Sequence, residues 1–265
     1  MNIHLITTDE SAFQLVDALS GTLQATCVIV PSNRQASGKI ARVRAGAERR
    51  GIPVSEHRAR SCFDSGLPPA EAAVSWLYSQ LIKAEDLQCY SRGILNMHGG
   101  RIPEYRGASV LQWAMVNGET EMGITWHEMV EEVDAGTIWA ESTVPVPPEA
   151  TALEMRQTMI RAGCDIFPVA WRNFLSRTGG RRPNLSGGRV WPQRRPDDGR
   201  IVPGLTERQV RDMVRALCPP WPPAFVEQGG ERIAVSRVTK EPAIDAIPYH
   251  TDDGAILYLV PGKMV

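Results

Sequence analysis

Over the first hundred residues, short apolar runs alternate with segments whose apolar positions recur every three or four residues. NIHLITT, ATCVIVP, IPVSEH and GILNMH read as strands, and the apolar stretch AAVSWLYSQLI includes a further one just before GILNMH. SAFQLVDALSG, between the first two strands, has the spacing of an amphipathic helix closed by Gly21. GKIARVRAGAERRG supplies a second helix. This βαβ rhythm predicts an α/β fold with an open, mostly parallel twisted sheet and helices on both faces. Sheets of that kind take their ligands outside the C-terminal ends of the strands.

The pattern continues with a helix (ASVLQWAMVNG), a strand (EMGITWHEM), an acidic turn (VEEVDAG), another strand (TIWAESTVPV) and a long helix (TALEMRQTMIRAGCDIFPVAWRNFL). SRTGGRRPNLSGGRVWPQRRPDDGR then breaks it. Its Gly, Pro and Arg residues and scarce apolar positions read as an irregular connection. TERQVRDMVRAL is a helix stopped by PPWPP, and short strands follow around EQGGERIAV and DDGAILYLV. The expected organisation is a large domain over residues 1–190 and a small C-terminal α+β piece over 191–265.

Composition narrows the function. A chain of 265 residues, 43% hydrophobic, can bury a real core. A formal charge of −1 and a pI near 6.5 weigh against a broad electrostatic hold on nucleic acid. Five cysteines without a C-x-x-C form neither a disulfide framework nor a zinc cluster, and they suit a reducing cytoplasm. No stretch reaches the roughly 20 apolar residues of a membrane helix. The first strand-to-helix turn is TTDES rather than G-x-G-x-x-G, which disfavours a dinucleotide in the usual crevice.

Candidate chemistry concentrates in ILNMHGGRIPEYRG, residues 94–107. Asn96 and His98 are two apart on a predicted strand and therefore share a face at its tip. Asp134, on the loop of VEEVDAG, can reach the same end of the sheet. An amide, an imidazole and a carboxylate together suit attack on a carbonyl. The amide donates to the oxyanion, the imidazole takes a proton, and the carboxylate orients the imidazole. With no G-x-S-x-G elbow and no cysteine signature, the attacking group is expected to belong to the substrate. His127 and Trp126, in ITWHEM, are read as structural strand and core residues.

The order N-x-H, P-x-Y-R-G, D-A-G resembles the folate-dependent formyltransferases. The tail RRPDDGRI…VRALCPPWPPAF is similar to the pattern of that family's sugar-modifying members. The resemblance implies a Rossmann-like formyltransferase fold, 10-formyltetrahydrofolate as donor, no metal, and an amine acceptor. Asn96, His98 and Asp134 then fall on the catalytic triad. The pteridine would be held largely by backbone, around Ser79, Gln80, Leu81 and Ile82 and around the turn of Glu131, Glu132 and Val133. Where many members have H-x-S-L-L-P, this chain has His98-Gly99-Gly100-Arg101-Ile102-Pro103. Gly99 and Gly100 are expected to provide a donor-side backbone path that other residues cannot follow cheaply. A nucleotide-linked amino sugar is the first expected acceptor, ahead of an ornithine-type amine and of methionyl-tRNA. Nucleic acid and membrane are not expected partners, and a homodimer is among the expected assemblies.

Overall fold

The five predicted N-terminal strands form, in order, β1 (Asn2–Thr7), β2 (Gln24–Pro31), β3 (Val54–His57), β4 (Ala72–Trp76) and β5 (Ile94–His98). β1 buries every residue after Asn2 and β4 buries all five of its residues, the signature of strands covered on both faces. The computed structural model describes residues 1–19, 21–32 and 37–263. Ser20, in the first predicted helix, and Met264 and Val265, at the end of the predicted C-terminal piece, lie outside the described residues.

The chain continues through β6 (Arg106–Gly107), β7 (Glu121–Glu128) and β8 (Ile138–Pro145). The main sheet has the order β3-β2-β1-β4-β5-β7-β8. Pairing is parallel from β3 to β5, and β7 runs antiparallel to β5. Strands are first added on one side of β1 and then on the other, so the order reverses between β1 and β4. That reversal leaves a crevice at the C-terminal edge of an open sheet.

The first predicted helix begins as a 3-10 turn at Glu10–Ala12 and continues as α1 (Phe13–Ala18). Asp9 caps the turn, its Oδ1 accepting the Ser11 N–H at 3.0 Å. A carboxylate thus stands where a dinucleotide fold presents glycine amides to phosphate. α2 (Ser37–Glu48), α3 (Ala84–Leu87), α4 (Val110–Val116) and α5 (Ala152–Ser176, with Pro168 inside it) follow. Among the described residues no helix is long and apolar enough to cross a membrane.

Two compact units divide the chain, and they interleave in sequence. One comprises Met1–Pro103, Gly123–Ser142 and Ile160–Gly188; the other comprises Glu104–Met122, Thr143–Met159 and Arg189–Val265. The second unit contains α4, α6 (Glu207–Ala216) and a four-stranded antiparallel sheet of β10 (Phe225–Gln228), β11 (Glu231–Thr239), β12 (Ile247–His250) and β13 (Ile256–Pro261). EQGGERIAV is a hairpin, because Gly229 and Gly230 both take positive φ and turn β10 into β11. Thr206 and Gln209 cap α6 reciprocally.

The connection expected to be irregular carries one ordered strand. β9 (Val190–Trp191) pairs in parallel with β6. Trp191 stacks on Tyr105 at 5.4 Å and 6°, while the Arg189 guanidinium lies 4.0 Å from the Trp191 ring centroid. Gly107, at φ +96, brings the backbones together, and a Cβ there would stand 2.3 Å from the Trp191 carbonyl oxygen. Long-range aromatic contacts order a segment whose local composition favours none.

Candidate active site

β5 delivers Leu95 and Met97 to one face of the sheet and Asn96 and His98 to the other. Opposite them on β7, Asn96 pairs with His127 and His98 with Thr125. At the end of β7 the chain turns through residues 129–136 and comes back into β8. Gly136 makes the return possible, since a Cβ there would overlap the Glu128 carbonyl oxygen at 1.8 Å. Asp134, two residues earlier, holds φ +48, a left-handed conformation that Asp tolerates better than most residues.

The turn carries the Asp134 carboxylate back to the tip of β5. His98 Nδ1 lies 3.4 Å from Asp134 Oδ2, and His127 Nε2 lies 3.2 Å from Asp134 Oδ1. Both imidazoles are buried and the carboxylate is only 13% exposed. With Nδ1–H directed at Asp134, the lone pair of His98 is on Nε2. A contact of 3.4 Å is long for such a bond, and catalytic pairs of this kind tighten when a substrate is bound.

The three sequence-predicted catalytic residues are therefore brought together, and His127 joins them. Its Nδ1–H donates to the Glu128 carbonyl at 2.9 Å, and its Nε2 stands 3.1 Å from Asn96 Nδ2. With the ring proton on Nδ1, Nε2 accepts from the Asn96 amide, and the Asp134 carboxylate stands beside that same nitrogen at 3.2 Å. Sequence reasoning treated it as a strand residue. The signal that could have found it was register: a histidine two residues after Thr125 on an antiparallel neighbour lands opposite Asn96. Trp126, its neighbour, is core as expected. It stacks on Trp76 at 5.6 Å, and its Nε1 donates to the Gly163 carbonyl.

The loop after His98 is fixed against β7. Thr125 Oγ1 donates to the Gly100 carbonyl at 2.9 Å, and a Cβ on Gly123 would come within 2.6 Å of the Arg101 nitrogen. The Ile102–Pro103 peptide is cis. Neither Gly99 nor Gly100 is among the glycines with positive φ, so the expected special path is not a left-handed one at these positions. In this loop and the strand after it, positive φ falls on Gly107.

Ser79, Gln80, Leu81 and Ile82 lie in an irregular segment after β4, at the strand-order reversal. Leu81 is 81% exposed. Ile82 turns inward with Tyr78 and packs on an apolar cluster that includes Ile6, Ile29 and Ile94. Met129 packs on the same cluster, so this segment and the root of the turn carrying the exposed Glu131, Glu132 and Val133 flank one patch. Among the described residues no group of three or more His, Cys, Asp and Glu side chains is arranged to hold a metal ion.

Comparison with known proteins gives this geometry a lineage. WlaRD, a sugar 3N-formyl transferase crystallised in the presence of dTDP and 5-N-formyl-THF, superposes with a TM-score of 0.76 at 15% identity, over 100% of this chain and 99% of its own. An N-formyltransferase from Helicobacter canadensis, in complex with folinic acid and dTDP-3-aminofucose, gives 0.72 at 13%, over 98% and 99%. The methionyl-tRNA formyltransferase from Clostridium thermocellum gives 0.61 at 18%, over 99% and 100%. At such identities these likenesses speak for the fold. The sequence profile described as Formyl transferase matches residues 3–170, more than half of the chain and all of the site described above. The chain belongs to the formyl transferase family.

Proposed function

We propose that this formyltransferase moves the formyl group of 10-formyltetrahydrofolate to the primary amine of a nucleotide-linked amino sugar. The observation that carries the reading is the contact of Asp134 with His98, beside the amide of Asn96, at the C-terminal edge of the sheet. The amine lone pair attacks the formyl carbon, and negative charge gathers on the formyl oxygen. An amide NH2 has two donors, so Asn96 can keep one on His127 and offer the other to that oxygen. His98 accepts the proton that the attacking nitrogen sheds, and Asp134 stabilises the imidazolium formed. The tetrahedral intermediate then collapses: the bond from the formyl carbon to the folate nitrogen breaks as His98 returns its proton to that nitrogen, leaving the formamide and a neutral imidazole.

In this reading Ser79–Ile82, Gly99, Gly100 and Glu131–Val133 surround the pteridine. Residues 1–190 carry the catalysis, and 191–265 hold the acceptor or pair two protomers, in the cytoplasm. Two of the three similar structures were determined with a folate compound and with dTDP or a dTDP-sugar, which supports both donor and acceptor. The methionyl-tRNA enzyme has the same fold, so the acceptor is read from the tail RRPDDGRI…VRALCPPWPPAF instead.

The test is a formyl-transfer assay on the full chain with 10-formyltetrahydrofolate and a panel of acceptors. The panel comprises dTDP-, UDP- and GDP-linked amino sugars, ornithine derivatives and methionyl-tRNA, with products identified by mass spectrometry. Transfer to a nucleotide amino sugar, inhibited by the matching nucleoside diphosphate, is expected. Formylated ornithine, with no inhibition by any of the three diphosphates at millimolar levels, would sink the sugar reading.

A further inference from the structure

We propose that His57 is a positioning residue for the donor-binding segment 77–82, acting through Tyr78. The inference rests on the folate reading of residues 79–82. His57 ends β3, separated from β4 by β2 and β1, and belongs to no part of the Asn96–His98–Asp134 cluster. It is buried, and both of its ring nitrogens have defined partners. Nε2 lies 3.0 Å from the Ser61 carbonyl oxygen, and a carbonyl can only accept, so Nε2 carries the proton. Nδ1 therefore holds the lone pair, and the Tyr78 hydroxyl, 2.6 Å away, donates to it. Burial, reinforced by the Asp86 carboxylate, pushes the Tyr78 phenol upward, so its proton is retained for this bond. The two rings stack at 5.9 Å and 17°, and Phe63 meets His57 edge-on at 4.8 Å.

The place of this pair in the fold gives it a task beyond packing. Segment 77–82 leaves β4 through Leu77 at φ +50, a costly conformation for a residue with a branched side chain. The Thr8 hydroxyl donates to the Leu77 carbonyl, which ties down the backbone at that point. His57 ties down the next residue through its side chain. With Tyr78 held, Ile82 is set inward on the apolar cluster while Leu81 points outward, 81% exposed. A segment that recognises its ligand mainly through backbone groups depends on such anchors, because each free rotation lost on binding weakens the complex. Through Tyr78, His57 anchors the segment to β3.

The experiment measures binding of 5-formyltetrahydrofolate by fluorescence titration, together with donor KM and kcat, on the full chain and four variants. Tyr78→Phe removes only the hydroxyl, and His57→Phe keeps the ring but drops both nitrogens. Each is expected to weaken folate binding and raise donor KM by about tenfold, the scale of one lost hydrogen bond, with kcat within about twofold. His57→Gln, which keeps one donor and one acceptor at similar spacing, is expected to recover part of the loss. A purely structural role would lower the melting temperature of Tyr78→Phe and leave donor affinity alone; that result overturns the proposal. Leu81→Asp separates the two levels of failure. If it weakens folate binding while Tyr78→Phe and His57→Phe do not, the anchor falls and the donor segment stands. If Leu81→Asp too is without effect, or the full chain binds no folate, the reading of segment 79–82 falls and the anchor with it.

Discussion

At Asp134 one carboxylate meets two imidazoles, His98 through Oδ2 and His127 through Oδ1. The two partners play different parts. His98 ends β5 at the C-terminal edge of the sheet, whereas His127 lies within β7 and has its Nδ1 committed to a backbone carbonyl. His98→Ala is expected to lower kcat by roughly 10²–10⁴ with folate binding retained, since positioned proton transfer contributes on that scale. Near-normal turnover would show that the base is elsewhere. His127→Phe is expected to lower kcat about tenfold, through loss of the bond that fixes the Asn96 amide. An unchanged kcat in steady-state assays would return His127 to a purely structural role. His4 shows the same residue type used for stability. It is buried between the Tyr90 hydroxyl and the Pro68 carbonyl, and burial holds its pKa below the ordinary 6.5 in spite of the Pro68 bond. The unfolded chain therefore takes up this proton first as pH falls. Stability is lost below about pH 6.5, and the loss stops growing below the folded pKa. Melting temperature is expected to fall as pH drops below about 6.5, and to fall less in His4→Gln. Equal slopes in thermal melts of the two proteins would exclude His4 as the source.

The elements around the site are joined by glycines that allow backbones to touch. Gly123 admits the loop after His98 against β7, and Gly136 admits the turn after Asp134 against Glu128. The Glu128 carbonyl faces both Gly136 and His127 Nδ1, so the turn and the imidazole are coupled through one oxygen. Gly136→Ala is expected to destabilise the chain by about 1–3 kcal/mol, the range for forced overpacking, and to reduce turnover by displacing that carbonyl. Retention of both melting temperature and activity would mean that the turn relaxes freely. At this scale much was legible. Apolar runs mark β1 to β5 because strands covered on both faces have nowhere to put polar side chains, and the i, i+2 spacing of Asn96 and His98 survives in the folded strand. β9 was not legible, because it exists through Tyr105 and Gly107, more than eighty residues away in the chain.

Over the whole molecule, the chain passes between its two units repeatedly, and the last 77 residues complete a unit that also contains residues 104–122 and 143–159. Within that unit Arg215 on α6 donates to the carbonyls of Pro147 and Ala150, and Arg208 donates to the carbonyl of Gly118. Trp113 on α4 donates to the Pro192 carbonyl at 2.8 Å. A chain ending after Leu185 would strand both of the earlier segments without the partners of their own unit. It is expected to melt well below the full chain and to unfold less cooperatively in thermal denaturation followed by circular dichroism. An unchanged, cooperative melt would show that residues 1–185 are self-sufficient.

Periodicity and residue order alone determined the α/β class, the strand that carries Asn96 and His98, and the loop that carries Asp134, because those features depend on neighbours a few residues apart. Only the tertiary structure decided the rest. It set the antiparallel pairing of β7 against β5, which places His127 between Asn96 and Asp134. It set the left-handed φ of Asp134, which aims its carboxylate back at β5. It also set the reach of His57 to Tyr78. Register, close backbone approach and long-range hydrogen bonds join positions far apart in the chain, and a linear pattern carries no distance between them.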